Sequence, residues 1–351
     1  SRLLRLRLLR RYAIYRNGET AAAGIFGSCQ TQWSNLYLPG SYGIRRLKGA
    51  LNLISASTKA GATEVLSRFL CYISSVLPDD VTAKLTELRA KEDGALPRLV
   101  YDAMFENQAL AKAMSRPSCQ DTGVIQFFPT VGANYPLLAD LPDIFEASVR
   151  QATKEAPLRH NAVQTFDEFN TGDNTGLRVP TVDWTIVPNN HDLVLDVYMA
   201  GGGCSLPGRG MVLMPGAGYE GVVEFVLDIM TSYGLNACPP LLVGVGIATS
   251  IDEAARLSKR ALLRPIGTRN PNERAAALEE ELARAIDAIG LGPQGLSGQC
   301  SVMGVHIENA ARHPSTIGVA VNTGCWSHRR GCIVLRGDGS YEIVSHSEVS
   351  L

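Results

Sequence analysis

From Thr58 onward the chain alternates between two hydrophobic periodicities, one typical of helices and the other of short strands. Apolar residues recur every three or four positions after Thr58, after Pro78, and between Pro97 and Met114. Each stretch therefore predicts a helix that packs by one face. The predicted packing faces are Leu66, Phe69, Leu70 and Ile73 in the first helix, Val81, Leu85 and Leu88 in the second, and Leu99, Ala103 and Leu110, flanked by Val100 and Met104, in the third.

Beyond residue 120, short apolar runs alternate with amphipathic stretches, which indicates sheets with helices packed on them. We expect one domain over residues 56–351, of the α/β class (α+β type), with mixed sheets flanked by helices. The runs at 182–187 and 193–199 are expected to pair with each other, and Gly337-Asp338-Gly339 predicts a terminal hairpin. The predicted strands are 124–128, 182–187, 193–199, 241–247, 302–307, 317–321, 332–335 and 341–344, and the predicted helices are 144–154, 220–233, one from a Ser250–Glu253 capping box to about Leu263, and one capped by Asn270-Pro271.

Residues 1–55 differ from the rest of the chain in charge. The first 50 residues hold nine Lys/Arg residues and one acid, Glu19, and the first residue is Ser rather than Met. An Arg-rich, acid-poor composition is typical of organelle transit peptides. We expect this segment to be disordered and to lie outside the fold. Two interpretations stay open: a targeting segment, or an artefact of how the start of the chain was assigned.

Composition narrows the class of protein and the compartment. The 351 residues are 45% apolar and 19% charged with a net charge of −1, which is ordinary for a globular protein. The chain as a whole has no excess of basic residues that would indicate nucleic-acid binding. No apolar run is long enough to span a membrane. The eight cysteines include no Cys-x-x-Cys pair, and no secretory signal pattern is present. We therefore expect reduced thiols in the cytoplasm, with organelle targeting left open by the Arg-rich start.

Three of the cysteines lie on loops punctuated by Pro or Gly, each beside a strand-like run. Cys119, Gln120 and Asp121 stand side by side on the first of these loops, Cys238 precedes two prolines, and Cys325 follows a predicted strand. A lone loop cysteine is commonly a small buried apolar residue. Three in similar settings favour a soft-metal or iron–sulfur site instead.

Two further features suggest a site for an anion. Three glycines, Gly201 to Gly203, follow a predicted strand and leave backbone N–H groups accessible, and their spacing does not match a dinucleotide-binding loop. Arg159 lies beside a proline-stiffened loop, where a guanidinium can clamp a carboxylate. A plain flexible turn and a solvated arginine are the alternatives.

Six short motifs occur in a family-specific order. They are Cys-Gln-Asp-Thr-Gly at 119–123, Asn-Thr-Gly at 170–172, Gly-Gly-Gly at 201–203, Ala-Cys-Pro-Pro at 237–240, Gly-Pro-Gln-Gly at 292–295, and Cys325. Together they resemble the N-terminal (α) part of the class I fumarase and tartrate dehydratase family of iron–sulfur hydro-lyases, over roughly residues 60–345. The segments at 156–163, 203–209, 311–318 and 324–330 are more similar to the tartrate-dehydrating branch.

The resemblance implies a cofactor, a reaction and a set of site residues. The cofactor is a [4Fe–4S] cluster whose fourth iron keeps an open position and acts as a Lewis acid. The reaction is the dehydration of L(+)-tartrate to oxaloacetate. The implied cluster ligands are Cys119, Cys238 and Cys325, the catalytic residues are Asp121 and His313, and the substrate contacts are Gln120, Arg159 and Gly202. The other five cysteines are then structural, with Cys204 nearest the site, and His160 and His328 are expected to be solvated or structural.

The resemblance also implies a partner. Single-chain members of the family continue into a C-terminal domain that completes the active site, so a separate β subunit is expected to supply that half, in an α2β2 assembly acting on a small dicarboxylate. Two alternatives stay open: the same chemistry on malate and fumarate, and a non-catalytic iron–sulfur redox sensor. Asp121 beside Cys119, and the lack of a fourth matched ligand, favour an enzyme. No nucleic-acid or membrane partner is expected.

Overall fold

The computed structural model describes residues 54–347, 349 and 351. These residues form two larger sheets with helices packed against them, and a separate two-stranded hairpin. The α/β class predicted from the hydrophobic pattern is therefore confirmed. The predicted N-terminal segment, residues 1–55, falls almost entirely outside the described residues. None of the described helices is long and apolar enough to cross a membrane.

The first helices begin at the predicted signals. The Thr58 hydroxyl accepts the Gly61 N–H at 3.1 Å, as an N-cap residue does, and Pro78 precedes the second helix. The predicted faces of both helices are buried, the first against the fourth helix and the sheet behind it. The helices are α1 (Lys59–Ser75), α2 (Asp79–Lys91), α3 (Ala95–Met114) and α4 (Leu141–Glu155).

The packing face of α3 is not the predicted one. Leu99 and Leu110 are 64% and 53% exposed, and Ala103 is exposed beside them. The helix is buried instead through Tyr101 and Met104, which belong to the same apolar cluster as the inward face of α2. Apolar residues occupy both sides of α3, and the aromatic ring has the larger area to remove from water. The side that carries Tyr101 therefore faces inward.

The first sheet is built around its longest strand, which has neighbours on both edges. Across the sheet the strands are β12 (Tyr341–Ile343), β11 (Arg330–Leu335), β6 (Leu193–Ala200), β1 (Val124–Gly132) and β4 (Thr181–Val182), with β5 (Thr185–Val187) next to β4 along the same edge of β1. β6 pairs with β1 antiparallel, whereas β4 and β5 pair with it parallel. The predicted pairing of 182–187 with 193–199 is wrong, because β1 lies between them. The connection passes the end of β1 closely: a Cβ at Gly132 would lie 2.1 Å from the Asn190 carbonyl oxygen.

The second sheet has the order β7 (Arg209–Leu213), β10 (Ile317–Gly324), β8 (Leu241–Ala248) and β9 (Val302–Asn309). All of β8 is buried, as its continuous apolar run predicts. Helices α5 (Gly218–Tyr233), α6 (Ile251–Ala261) and α7 (Glu273–Asp287) pack on this sheet. β2 (Val163–Gln164) and β3 (Phe169–Asn170) form the separate hairpin, and β11 pairs with β12 as the predicted terminal hairpin.

One predicted helix start is wrong, and one predicted capping hydrogen bond is not formed. α7 begins after Asn272, whose side chain accepts backbone N–H groups of the first turn, rather than after Asn270. Asn270 is buried instead, and its Nδ2 donates to the Ile307 carbonyl of β9 at 2.9 Å. Ser250 does stand at the N-cap of α6, but its side chain makes no capping hydrogen bond. An Asn or Ser near a helix start can serve either the helix or a neighbouring strand, and the sequence does not say which.

Candidate active site

The Cys119 loop and the glycine run lie side by side at one edge of the first sheet. Residues 119–123 lead into β1, and residues 201–203 follow β6. Because β1 and β6 are antiparallel, the start of one adjoins the end of the other, and Val124 pairs with Ala200. The residues after Gly201 form a single helical turn, which the sequence pattern does not predict.

The other two candidate ligands lie at one edge of the second sheet. Cys238 precedes β8 and Cys325 follows β10, and these strands are also antiparallel, with Leu242 opposite Gly324. Residues 325–329 then pass from β10 to β11 and so connect the second sheet to the first. We call residues 325–329 the crossover.

Hydrogen bonds from the crossover tie the cysteine loops together. The buried hydroxyls of Ser327 and Ser118 bond each other at 3.0 Å, which joins the crossover to the Cys119 loop. The Trp326 N–H donates to the Cys238 carbonyl at 3.2 Å, which joins it to the third cysteine loop. The relative positions of the three candidate ligands therefore depend on one short segment.

Asp121 is held by donors on several sides. Its Oδ2 accepts the Gly202 N–H at 2.7 Å, and its Oδ1 accepts the Gly123 N–H at 3.0 Å. Asn161 Nδ2 lies 3.4 Å from Oδ1, and Arg329 Nη2 donates to the Asp121 backbone carbonyl at 2.5 Å. The orientation of the carboxylate is thereby fixed. The Gly202 N–H, expected from the resemblance to contact substrate, is directed at Asp121.

A cavity of about 430 Å³ opens beside Asp121, within the size range of small-ligand sites. The cavity lies between the Cys119 loop and the segment that follows α4. The Arg159 guanidinium on its wall has no hydrogen bond or ion pair to the described residues, so its donors are available to a ligand. The lining residues are Gln120, Asp121, Val124, Arg159, Asn161, Ala200 and Gly202.

The thiols differ in exposure but influence one another. Cys238 is exposed, Cys119 is half-buried and Cys325 is buried. Although Cys238 is exposed as a residue, its thiol is partly shielded from water, which raises its pKa, and the neighbouring Cys204 and Cys119 raise it further. A hydrogen bond from Cys325 lowers the pKa of the buried Cys204 to about 6, with help from the nearby Arg329 guanidinium. Within the described chain, no three Cys, His, Asp or Glu side chains are grouped closely enough to hold a single metal ion.

His313 lies at the other end of the second sheet. It precedes β10, whereas Cys325 follows that strand, so the strand length, about 25 Å, separates them. There the His313 N–H donates to Thr249 Oγ1 at 2.9 Å, and its Nδ1 accepts the Ser315 N–H at 3.1 Å. The structure thus brings the predicted substrate contacts and the predicted acid–base residue of the Cys119 loop into one cavity, and leaves His313 of the same chain outside it.

His160 and His328, for which no catalytic role is expected, lie in the predicted kinds of environment. His328 in the crossover is buried with its Nε2 2.9 Å from the Leu262 carbonyl, and burial lowers its pKa to about 3. His160 is exposed at the rim of the hairpin segment. His328 is structural and His160 solvated.

Sequence reasoning missed Asn161, the Ser118–Ser327 pair and Arg329. Amides and hydroxyls are ordinary loop residues, so the first two carry no distinguishing signal. Arg329 carries one: it belongs to an Arg-Arg pair that directly precedes an apolar run, where a strand is expected to be buried. Arginine is seldom fully buried without a partner, so such a pair indicates buried ionic contacts.

Comparison with known proteins defines the class and then the family. A family model described as fumarate hydratase (fumerase) matches residues 63–334. The L(+)-tartrate dehydratase subunit alpha proteins of Escherichia coli (strain K12) and Shigella boydii serotype 4 (strain Sb227) are each 54% identical over 303 residues, which are 85% of this chain and 100% of theirs. The putative L(+)-tartrate dehydratase subunit alpha of Methanocaldococcus jannaschii is 34% identical over 258 residues, 72% of this chain and 90% of that protein.

These matches make the chain a hydro-lyase. It belongs to the fumarate hydratase (fumerase) family, as its six motifs indicate, and it is similar to the tartrate dehydratase α subunits within it.

Gly203 marks the closest approach of the glycine run to the Cys238 loop, since a Cβ there would lie 2.9 Å from the Asn236 carbonyl oxygen. We expect Gly203→Ala to force the loops apart and to lower the free energy of unfolding by about 1–3 kcal/mol, the usual cost of overpacking. Thermal or urea unfolding measures this. Gly216→Ala is the matched control, because no described residue other than its chain neighbours comes within 4 Å of its Cβ position. Equal stability of the two variants would contradict the contact.

Proposed function

We propose that this chain is the α subunit of an iron–sulfur hydro-lyase that removes water from L(+)-tartrate to give oxaloacetate. The observation that carries the proposal is the cavity lined by Arg159, Gln120 and Asp121, which adjoins the Cys119 loop; hydrogen bonds from the crossover tie that loop to those of Cys238 and Cys325. Relatives named as tartrate dehydratase α subunits support the choice of substrate, because the similarity extends over their whole length.

The residues around Cys119, Cys238 and Cys325 suit a [4Fe–4S] cluster. All three are free thiols, the ligands that iron–sulfur clusters use. A cluster binds each thiolate through a different iron, so its ligands need not converge on one point. The buried Arg329, whose Nε and Nη1 have no partner in the described chain, suits the negative charge of such a group. When bound, the cluster supplies an iron with an open position that acts as a Lewis acid on the substrate hydroxyl.

Arg159 and Gln120 bind and orient the dicarboxylate. A guanidinium offers parallel N–H donors to a carboxylate. The Arg159 backbone is fixed on both sides: its N–H donates to Thr122 Oγ1 at 3.1 Å, and its carbonyl accepts from Asn174 Nδ2 at 2.8 Å. Gln120 Oε1 accepts a hydrogen bond from the Cys119 thiol at 3.5 Å, so its amide adjoins both the cavity and a predicted cluster ligand. A substrate whose carboxylate is clamped by Arg159 would then lie beside the Cys119 loop.

Asp121 transfers the proton. The elimination removes a proton from one carbon and a hydroxide from its neighbour, and the resulting enol rearranges to the keto acid. A fixed carboxylate two residues from a cluster ligand can accept or return that proton. Gly202 and Asn161, through the hydrogen bonds described above, keep the carboxylate from rotating away.

His313 can serve this reaction only from another chain. Along β10 it lies about 25 Å from Cys325, a distance that side-chain motion cannot cover. An assembly with two copies of this chain, as in the expected α2β2 form, offers a second His313 that a neighbouring cavity can use. In this proposal, two copies of the chain are needed because each supplies its His313 to the cavity of the other.

Malate and fumarate are the second candidate substrates. The matching family is described as fumarate hydratase. Malate and fumarate carry two carboxylates, as tartrate does, and Arg159 would clamp one of them in the same way. Malate differs from tartrate by one hydroxyl, so discrimination depends on a polar group that pairs with it.

A second subunit completes the site. The relatives are named as α subunits, which implies a partner chain. Beside the cavity, the β2–β3 hairpin exposes Phe166 and Phe169 at 99% and 63%, and the loop that follows it exposes Leu177 at 79%. We call these three side chains the hairpin surface. An isolated two-stranded hairpin is marginal in water, and an apolar patch on it marks an interface. Because the segment starts at the cavity wall, a β subunit seated there also closes the cavity.

The functional assay uses the chain with its β subunit, purified without oxygen. It should form oxaloacetate from L(+)-tartrate with a higher kcat/KM than it shows for malate or fumarate. Asp121→Asn should lower kcat about 10²-fold or more with iron content unchanged, because the titrating group is lost and the shape is kept. Asp338→Asn, in the exposed terminal hairpin, is the control. Turnover of malate and fumarate alone would favour the second candidate, and full turnover by Asp121→Asn would exclude its proton-transfer role.

The ligand assignment predicts which cysteines matter. Cys119→Ser, Cys238→Ser and Cys325→Ser should each lose the iron–sulfur absorption band and the bound iron. Cys332→Ser, in β11, should keep both, since this residue is buried in the strand interior. Iron and sulfide determination with visible absorption makes the comparison. A Cys238→Ser protein that retains iron, sulfide and activity would show that the assignment is wrong.

The subunit interface is tested by Phe166→Ser combined with Phe169→Ser. Losing two exposed aromatic anchors should weaken α–β association at least about tenfold, without changing thermal stability of the isolated chain, because neither ring packs in its core. Size-exclusion chromatography and calorimetric titration measure association. Leu99→Ser, on the exposed side of α3, is the matched control and should have little effect. Unchanged association in the double variant would remove the hairpin surface from the interface.

A further inference from the structure

Arg329 is the largest side chain among the fully buried residues of the described chain. Other buried or partly buried arginines have carboxylate partners: Arg330 with Asp80, and Arg264 with Glu279 at 2.6 Å. No described carboxylate forms an ion pair with Arg329. Burying an unpaired charge is costly, so a residue in this position needs a negative partner that the protein side chains do not supply.

Only one of the three guanidinium nitrogens of Arg329 has a hydrogen-bond partner among the described residues. Its Nη2 donates to the Asp121 backbone carbonyl, which anchors it to the Cys119 loop. Its Nε and Nη1 are buried and have no hydrogen-bond partner among the described residues. Because the guanidinium is planar, anchoring one nitrogen fixes where the other two point. Buried donors are almost always satisfied, so two orphans on one side chain indicate a missing acceptor.

The surroundings of these free donors are thiols. Arg329 lies in the crossover four residues after Cys325, and its hydrogen bond reaches Asp121, two residues after Cys119, so its donors lie between two of the predicted ligand loops. Lys259 adds a second positive charge on this side: its Nζ lies 5.4 Å from the Tyr198 ring, and Cys204 raises its pKa against the larger lowering by burial. Tyr198 in turn donates to the Thr323 carbonyl at 3.2 Å, so Lys259 lies near the end of β10 that leads to Cys325.

We propose that Arg329 is the buried counter-ion of the iron–sulfur cluster, and that its charge and its two unpaired donor nitrogens hold the cluster between the Cys119 loop and the crossover. This inference rests on the proposed function. Arg329 is a positioning residue, since it acts on the cluster and not on the substrate. Hydrogen bonds and positive charge next to cluster sulfurs stabilise the more negative oxidation state, so they raise its reduction potential.

The experiment compares Arg329→Gln and Arg329→Lys with wild type, in the full chain purified with its β subunit without oxygen. Three properties are measured: iron and sulfide content, the rate of iron loss to a ferrous chelator, and the midpoint potential of the cluster. Arg329→Gln should lose iron at least about tenfold faster, as expected for one charge-assisted hydrogen bond, and its potential should fall. Arg329→Lys keeps the charge but not the fork, so it should lie between Arg329→Gln and wild type.

Stability of the cluster-free protein separates this role from a structural one. Removing an uncompensated buried charge should leave cluster-free Arg329→Gln at least as stable as cluster-free wild type. Arg330→Gln, which breaks an ion pair with Asp80, is the matched control. It should lower the melting temperature and leave the cluster potential and the rate of iron loss unchanged.

Wild-type iron retention and potential in Arg329→Gln would overturn the inference, as would a loss of cluster-free stability with unchanged cluster properties. If Arg329→Gln does not fold, Arg329→Lys decides: a shifted potential and faster iron loss support the inference, and wild-type values contradict it. A wild-type protein without iron and sulfide would overturn the proposed function itself. A cluster that is present and indifferent to Arg329 overturns only this inference.

Discussion

The crossover is the constraint on which the site depends. The five residues of the crossover carry the chain from the second sheet to the first. At each end of it the backbone is packed closely against neighbouring side chains. A Cβ at Gly324 would lie 2.3 Å from His328 Nδ1, and one at Gly331 would lie 2.5 Å from the Phe69 ring. Only glycine lets the backbone approach its neighbours this closely. The crossover therefore has one path, and the hydrogen bonds that Trp326 and Ser327 make from it position the other cysteine loops.

Charge is distributed unevenly behind this segment. Toward the helices α2 and α6, Arg330 forms an ion pair with Asp80, and Arg260 forms one with Asp183. On the loop side, the positive charge of Arg329 faces thiols and a backbone carbonyl. A site organised in this way binds a negative group with donors that are already fixed in place, so little reorganisation accompanies binding. The substrate cavity adjoins the same loops, and Asp121 belongs to both environments through its backbone and its carboxylate.

The elements that the sequence predicts well are those whose periodicity has one interpretation. The faces of α1 and α2, the buried run of β8 and the terminal hairpin are of this kind. α3 is predicted with the wrong side inward, because apolar residues line both sides and only the neighbouring α2 selects Tyr101. Strand partners are also outside the reach of periodicity: 182–187 has the pattern of a strand, but nothing in it says that β1 separates it from 193–199.

In the candidate site, too, some residues can be predicted from local sequence and others only from the fold. Motif order brings Cys119, Gln120 and Asp121 to attention, because they are adjacent in the chain. Arg159 and Gly202 join them in the cavity through strand pairing. The distant location of His313 follows from the direction of β10, which no local pattern encodes. Arg329 and Asn161 act through hydrogen bonds to backbone carbonyls of other loops. The Arg-Arg pair indicates burial, but nothing in the sequence says which backbone atom either side chain contacts.

The crossover also sets the time at which the site can exist during synthesis. β1 and β6 are made before the second sheet, and the residues that lock their loops to it leave the ribosome only after all four of its strands. Until β11 pairs with β6, the Cys119 loop has no Arg329 and no Ser327 to hold it, and one edge of β6 is unpaired. Contacts of such long sequence separation form slowly. We infer that the nascent chain passes through an interval with exposed thiols and an open strand edge, and that this interval, more than the finished protein, is when the chain is vulnerable to oxidation and to mispairing.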